Sequence, residues 1–258
     1  MKIIPEDCPS TKNTITPELP MPQICVGDIL ESAEEIIDRF SLRMEKINEF
    51  LSWEPRTWCC GIYSDISKEH PERVIALLLD KEPSEKRSDF CKNPTKIFQE
   101  TVREYASKNI IDLIPNIQFT LMEFLKNTYD HGSWKAFVYL CESDKEIVLI
   151  YQELWGKGIF NELRSQKICE NMSDSEIWQR IFQSDFSSKM GNGINYGLGM
   201  SFIFSGMTHI GFDCSLVDSS YVVRAVFKDG IAEVWSLNVV WTWENRKWPI
   251  FIARKSLY

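Results

Sequence analysis

The sequence lacks a long hydrophobic run. Its longest aliphatic stretch is Val74-Ile75-Ala76-Leu77-Leu78-Leu79, far short of the roughly 20 apolar residues of a membrane helix, so no membrane span is expected. The first 20 residues mix Pro, Thr, Asp and Lys, without the apolar stretch of a signal peptide. A cytoplasmic protein is expected. Histidine is scarce, and His70, His131 and His209 stand far apart. None of the eight cysteines forms a CxxC pair. Zinc-finger spacing is therefore absent, and scattered reduced thiols fit better than a disulfide framework. The adjacent Cys59 and Cys60 read as part of a buried strand. Positive charge is in deficit, with 29 Lys+Arg against 37 Asp+Glu and a net charge of −8. That argues against nucleic-acid binding by bulk attraction to phosphates. Internal repeats and low-complexity tracts are also lacking.

What remains is a globular composition. Hydrophobic residues make up 44% and charged residues 26%, which excludes disorder over most of the chain. Nine Trp and 15 Phe supply a sizeable core. Residues 1 to 27 hold five prolines and read as an extended arm. Residues 28 to 52 repeat apolar side chains at three- and four-residue steps, as a helix does. Residues 53 to 63 suggest a short strand. Pro71 is placed to open a helix to about Leu79. Residues 80 to 93 are charged and turn-rich, and read as an exposed loop in which Lys86 and Arg87 are available cations. Helices are expected over 95 to 107 and from about Pro115 through Leu125. The period then changes to two over 136 to 141 and 146 to 152, a hairpin signal. Residues 161 to 196 are polar and show no long period. A helix is expected over 197 to 209, followed by strands over 212 to 217, 221 to 227, 231 to 240 and 249 to 254. Asp229-Gly230 is a strong hairpin turn.

Three segments in the middle of the chain carry chemistry. In Leu121-Met122-Glu123-Phe124-Leu125-Lys126-Asn127, Glu123 and Asn127 are four apart and share one helix face. An amide oxygen can ligate Mg²⁺, and a carboxylate can orient or deprotonate a nucleophile. The plain alternative is a solvated polar face. In Gly156-Lys157-Gly158-Ile159, the paired glycines let the backbone approach a ligand. The plain alternative is a turn. The third segment, Phe182 to Ser201, holds Ser187, Ser188, Lys189 and the run Gly191-Asn192-Gly193-Ile194-Asn195-Tyr196-Gly197-Leu198-Gly199. A glycine-rich stretch leading into a helix makes an anion site from free N–H groups and the helix dipole.

The order and spacing of these segments, over about residues 110 to 228, resemble the GHKL superfamily of sensor histidine kinases, type II topoisomerases, certain chaperones and anti-sigma-factor kinases. Glu123 and Asn127 fall where that family's N-box has its Glu and its Mg²⁺-binding Asn. His131-Gly132 resembles the end of that box in kinase and anti-sigma members. Gly156 and Gly158 match the G1 box. Phe182 and Phe186 through Lys189 are similar to the F-box and ATP-lid. Gly197-Leu198-Gly199 matches the G2 box. One departure concerns the base end of the pocket. The family's G1 Asp, which recognises the adenine amino group, is replaced by Leu154, with Glu153 one residue earlier. Leucine accepts no hydrogen bond, and an unpaired polar edge costs about 1–3 kcal/mol. The phosphate end is better kept.

The resemblance implies an α/β (α+β) two-layer sandwich, with a mixed, largely antiparallel sheet and helices on one face. The organisation expected is a helical N-terminal region with an extended arm over 1–105, a GHKL-type nucleotide-binding domain over 106–230 and a Trp-rich sheet extension over 231–258. The function implied is ATP and Mg²⁺ binding in signalling, as a phosphotransferase of the serine-kinase type or an ATPase. Glu123 would be catalytic and Asn127 the metal ligand. Asn127, Glu153, Gly156, Gly158, Ser188, Lys189, Gly197, Leu198 and Gly199 would bind nucleotide. His70 precedes Pro71 and lies outside a long helix, which disfavours a histidine kinase. The alternative is a non-catalytic protein-interaction module with a degenerate pocket, for which the C-terminal tryptophans supply a surface. A protein partner is expected in either case, nucleic acid is not, and a homodimer is compatible with both.

Overall fold

The computed structural model describes residues 59–63, 66–67, 70–71, 73–80, 86–105, 107–130, 135–153, 158–183, 199–218, 220–228, 231–238 and 249–258. The expected N-terminal arm and the helix over 28–52 lie outside them. Ten strands are described: β1 Cys59–Tyr63, β2 Ile66–Ser67, β3 His70–Pro71, β4 Arg73–Asp80, β5 Lys135–Glu142, β6 Glu146–Glu153, β7 Asp213–Asp218, β8 Tyr221–Lys228, β9 Ile231–Asn238 and β10 Ile250–Ser256. The helices are α1 Arg87–Tyr105, α2 Lys108–Ile111, α3 Ile114–Asp130, α4 Ile159–Arg164, α5 Asp174–Ile181 and α6 Gly199–His209. The protein is an α/β structure in which helices cover an eight-stranded sheet.

The strand order is β1-β4-β5-β6-β10-β7-β8-β9. Every described pairing is antiparallel, so the mixed sheet expected from the sequence resolves to an antiparallel one among the described strands. Residues 231–258, expected as an extension, divide in two. β9 lies at the sheet's edge, whereas β10 runs between β6 and β7, with Phe251 opposite both Tyr151 and Leu216. The chain thus leaves β7, makes the β8–β9 hairpin outboard and returns to the middle of the sheet. The register of that hairpin closes with Lys228 opposite Ile231. β10 is central because Ile250, Phe251, Ile252 and Ala253 are all buried, the near-continuous apolar run of a strand withdrawn from water on both faces.

Tyr151, Phe251, Leu216 and Val223 lie in register across four strands and belong to the main core with the helices. From α3, Ile117, Leu121, Phe124 and Leu125 reach this core at helical spacing. Phe124 stacks on Tyr151 at 4.4 Å and leans on Phe251 at 4.8 Å. Thr128 and Tyr151 share a buried hydroxyl–hydroxyl hydrogen bond, and the Tyr151 hydroxyl also reaches the Phe124 carbonyl at 3.4 Å.

Three expectations fail. The segment after Pro71 is the strand β4, not a helix, and His70 lies on β3. The run Val74 to Leu79 is short and β-branched at its start, and period alone does not separate a buried strand from a buried helix. The loop expected over 80 to 93 is helical from Arg87 onward, because Phe90, Cys91, Pro94 and Phe98 turn one side of α1 into the core. Within α1, Pro94 removes one backbone donor, and the Thr95 hydroxyl donates to the Cys91 carbonyl at 2.6 Å. The polar segment 161 to 196 contains the helix α5. Ser173 and Glu176 form a reciprocal capping box at its start, and Ile177, Trp178 and Ile181 anchor it.

Candidate functional site

The helices α3 and α6 run beside one another over the sheet and bring two of the three segments together. Glu123 and Asn127 occupy the half-exposed side of α3, one turn apart. Gly199 is the first residue of α6. A Cβ at Gly199 would lie 3.4 Å from Asn127 Nδ2 and 3.6 Å from its Oδ1, in ordinary van der Waals contact, so the two residues are direct neighbours. The N–H groups and positive dipole end of an eleven-residue helix therefore begin next to Asn127. Phe182, from the third segment, is buried edge-to-face against Phe204 of α6 at 4.7 Å.

Glu123 is not open to solvent alone. It accepts a hydrogen bond from Lys126 on the next turn. Arg87, at the start of α1, pairs with Asp130 at 2.5 Å on the last turn of α3. The four charges surround the buried thiol of Cys91. Burial pushes that thiol up to about 11, opposed by Arg87 and Lys126 and reinforced by Asp130 and Glu123. Lys126 and Asp130 were not singled out by sequence, because a charge on a helix face is commonplace and only the contact between α1 and α3 assembles this cluster.

At the other end, Glu153 closes β6. Its backbone N–H donates to the Pro249 carbonyl at 3.2 Å. The side chain is buried and shares the strand face of Tyr151, which faces the helices. Burial, and next the Glu153 charge, hold the Tyr151 hydroxyl well above its ordinary range. Gly158 is buried, has φ +81° and precedes α4, a conformation that favours glycine. A residue missed by sequence stands here too. Asp218, at the end of β7, is fully buried and accepts the Phe160 N–H at 3.0 Å. Its only sequence signal was a carboxylate ending an apolar strand. Gly156, Ser188, Lys189, Gly197 and Leu198, together with Leu154, lie outside the described residues.

Among the described residues, no group of three or more His, Cys, Asp or Glu could hold a metal ion. Mg²⁺ bound with a nucleotide needs fewer protein ligands, since phosphate and water oxygens fill most of its octahedron. The Asn127 amide oxygen, on the half-exposed side of α3, is a ligand of the kind that requirement leaves to the protein. No helix among the described residues is long and apolar enough to cross a membrane. Compared with known protein families, curated proteins and solved structures, the chain matches none of them.

Proposed function

We propose that the protein is a GHKL-type nucleotide-binding signalling protein that takes ATP with Mg²⁺ and acts as a serine-kinase-like phosphotransferase or an ATPase. The observation that carries this reading is the close approach of the Asn127 side chain to Gly199 at the start of α6. Residues 72 apart in sequence, matched separately to two boxes of that family, are neighbours in the fold. Asn127 would hold the Mg²⁺, which neutralises phosphate charge when bound. The start of α6 would receive phosphate oxygens through its free N–H groups. Glu123 would orient the attacking hydroxyl and accept its proton, which requires that it exchange its contact with Lys126 for the nucleophile. Lys189, from the lid-like segment, would neutralise charge on the γ-phosphate.

Calorimetric titration with ATP, with and without Mg²⁺, tests the reading. Mg²⁺-dependent binding that Asn127→Ala abolishes is the expected result. Equal binding by wild type and Asn127→Ala would refute it. The second reading, a non-catalytic interaction module, draws on Leu154 and on the Lys126–Glu123 contact, which occupies the proposed base. It predicts no ATP binding by the wild type and binding restored by Leu154→Asp.

A further inference from the structure

The sheet carries a second apolar layer, on the face turned away from the helices. Successive side chains of a strand point to opposite faces, so the neighbours of Tyr151, Phe251, Leu216 and Val223 point away from the main core. Tyr139, Ile150 and Ile252 form one row there, paired across β5, β6 and β10. Val222, Val217 and Ile250 form the next, across β8, β7 and β10. All six are buried, from 1% exposed at Ile150 to 7% at Val217. Val148 and Cys141, opposite each other on β6 and β5, are buried on the same face. None of these residues belongs to the main core, which holds the buried Phe, Leu, Ile, Val, Met, Trp and Cys side chains of the described helices.

An antiparallel sheet face open to water keeps its side chains partly exposed and reads as polar. Burial this complete across five strands needs a cover, and the described helices lie on the other face. Strands β2 and β3, of two residues each, are too short to span it. The cover has an edge: farther out on the same face, Val226, Trp235 and Ile231 are exposed. Its footprint from β5 to β8 is about 19 Å wide.

Residues 28–52, which lie outside the described residues, have the pattern such a layer requires. Wound as a helix, the segment gathers Ala33, Ile36, Ile37, Phe40, Met44 and Ile47 on one stripe about 100° wide. Glu35, Asp38, Lys46 and Glu49 fall opposite. A helix of that length extends about 37 Å, ample for the footprint. Residues 53–58 join it to β1. The start of β1 lies at the same end of the sheet as Gln152 and Ile250, by the pairing of Cys59 with Leu78, Leu78 with Phe137 and Phe137 with Gln152. From β1 to β6 is about 14 Å, and six residues reach about 20 Å. The other candidate cover, residues 239–248, holds Glu244, Arg246 and Lys247 and must itself bridge about 14 Å from β9 to β10.

We infer that residues 28–52 dock as an amphipathic helix on this second face and give the sheet a helical layer on each side. The N-terminal region is then a built-in part of the same domain and not a separate arm. The inference is independent of what the opposite face binds.

Two measurements on the full chain test it. Photo-methionine at the natural methionines places a cross-linker at position 44 and leaves the sequence otherwise unchanged. Met44 should link to β5, β6 or β10, and a mixture of light and isotopically heavy protein should show those links within one chain. Links from Met44 only to the described helices, or only between chains, would overturn the inference. Cys141 supplies the second readout. In wild type it should resist iodoacetamide at pH 8, with labelling read residue by residue by mass spectrometry. Ile36→Asp together with Phe40→Asp puts two charges on the stripe and should speed Cys141 labelling at least about tenfold. Cys91 and Cys214, in the main core, should stay protected in that variant. Glu35→Ala with Glu49→Ala, on the polar side, should leave Cys141 as slow as in wild type. Continued protection of Cys141 in the folded Asp variant would show that another segment, such as 239–248, covers the face, and would overturn the assignment. Should the Asp variant fail to fold, the cross-links of the unsubstituted chain decide alone.

Discussion

Trp178 invites a substitution whose sign runs against habit. The side chain is fully buried in α5, stacked on Phe160 at 5.2 Å and edge-on to Tyr221 at 5.7 Å. Its indole Nε1 has no acceptor within hydrogen-bond distance among the described residues. A buried donor left unmet costs about 1–3 kcal/mol. Trp178→Phe removes that donor and keeps an aromatic ring between the same neighbours. The smaller ring leaves a void of roughly 40 Å³, which at about 24 cal/mol per Å³ costs about 1 kcal/mol. The two effects together leave the Phe variant between equal to wild type and about 2 kcal/mol more stable. Trp178→Ala removes the ring contacts as well and should cost about 3–5 kcal/mol. Urea unfolding followed by far-UV circular dichroism separates the cases, provided the slope of stability against urea is unchanged. A Phe variant destabilised by more than about 2 kcal/mol would show that the indole N–H is satisfied and refute the reasoning.

Three further outcomes are expected. Tyr151→Phe strips the Thr128 hydroxyl of its buried partner and should cost about 1–2 kcal/mol, whereas adding Thr128→Val should recover part of that loss; strictly additive losses in the double-mutant cycle would contradict a coupled pair. Burial and the bond to Asp174 push the Tyr221 hydroxyl up to about 12, so between its ordinary value of about 10 and that point the unfolded chain binds fewer protons than the folded one. Stability should therefore fall as pH rises through that window, and Tyr221→Phe should fall less steeply; superimposable profiles would sink the assignment. The Cys91 thiol, pushed up to about 11 chiefly by burial, should resist iodoacetamide in the native protein at pH 8, when labelling is read residue by residue by mass spectrometry. Prompt labelling of Cys91 under those conditions would contradict its placement.

Local pattern made the second half of the fold legible. The hairpin β5–β6, the helices α3 and α6 and the strands β7 to β10 all fall within a few residues of where alternation and helical spacing put them. Failures have a common cause. β4 and a helix both want the apolar run before Asp80, and what decides is the pairing on both sides with β1 and β5. The charged stretch at Arg87 looked like a loop because its buried side is only Phe90, Cys91 and Pro94 among many polar residues. The start of α5 did carry a signal, Ser173 three residues before Glu176, which outranks the polarity of its surroundings.

The candidate site divides in the same way. That Glu123 and Asn127 share a face follows from helical spacing alone. That Gly158 needs glycine was foreseeable only as permission, and its φ of +81° is where the permission is used. The contact between Asn127 and Gly199, the Lys126–Glu123 pair beside Arg87 and Asp130, and the reach of Asp218 to Phe160 span separations from three to 72 residues.

By itself, the sequence determined which stretches are apolar, how they alternate and which residues carry chemistry, because those properties belong to a few neighbouring side chains. Only the tertiary structure decided the order of the strands, the insertion of β10 between β6 and β7 and the identity of the partner at each functional group. Those depend on which surfaces can be buried together, a property of the whole chain and of no single segment.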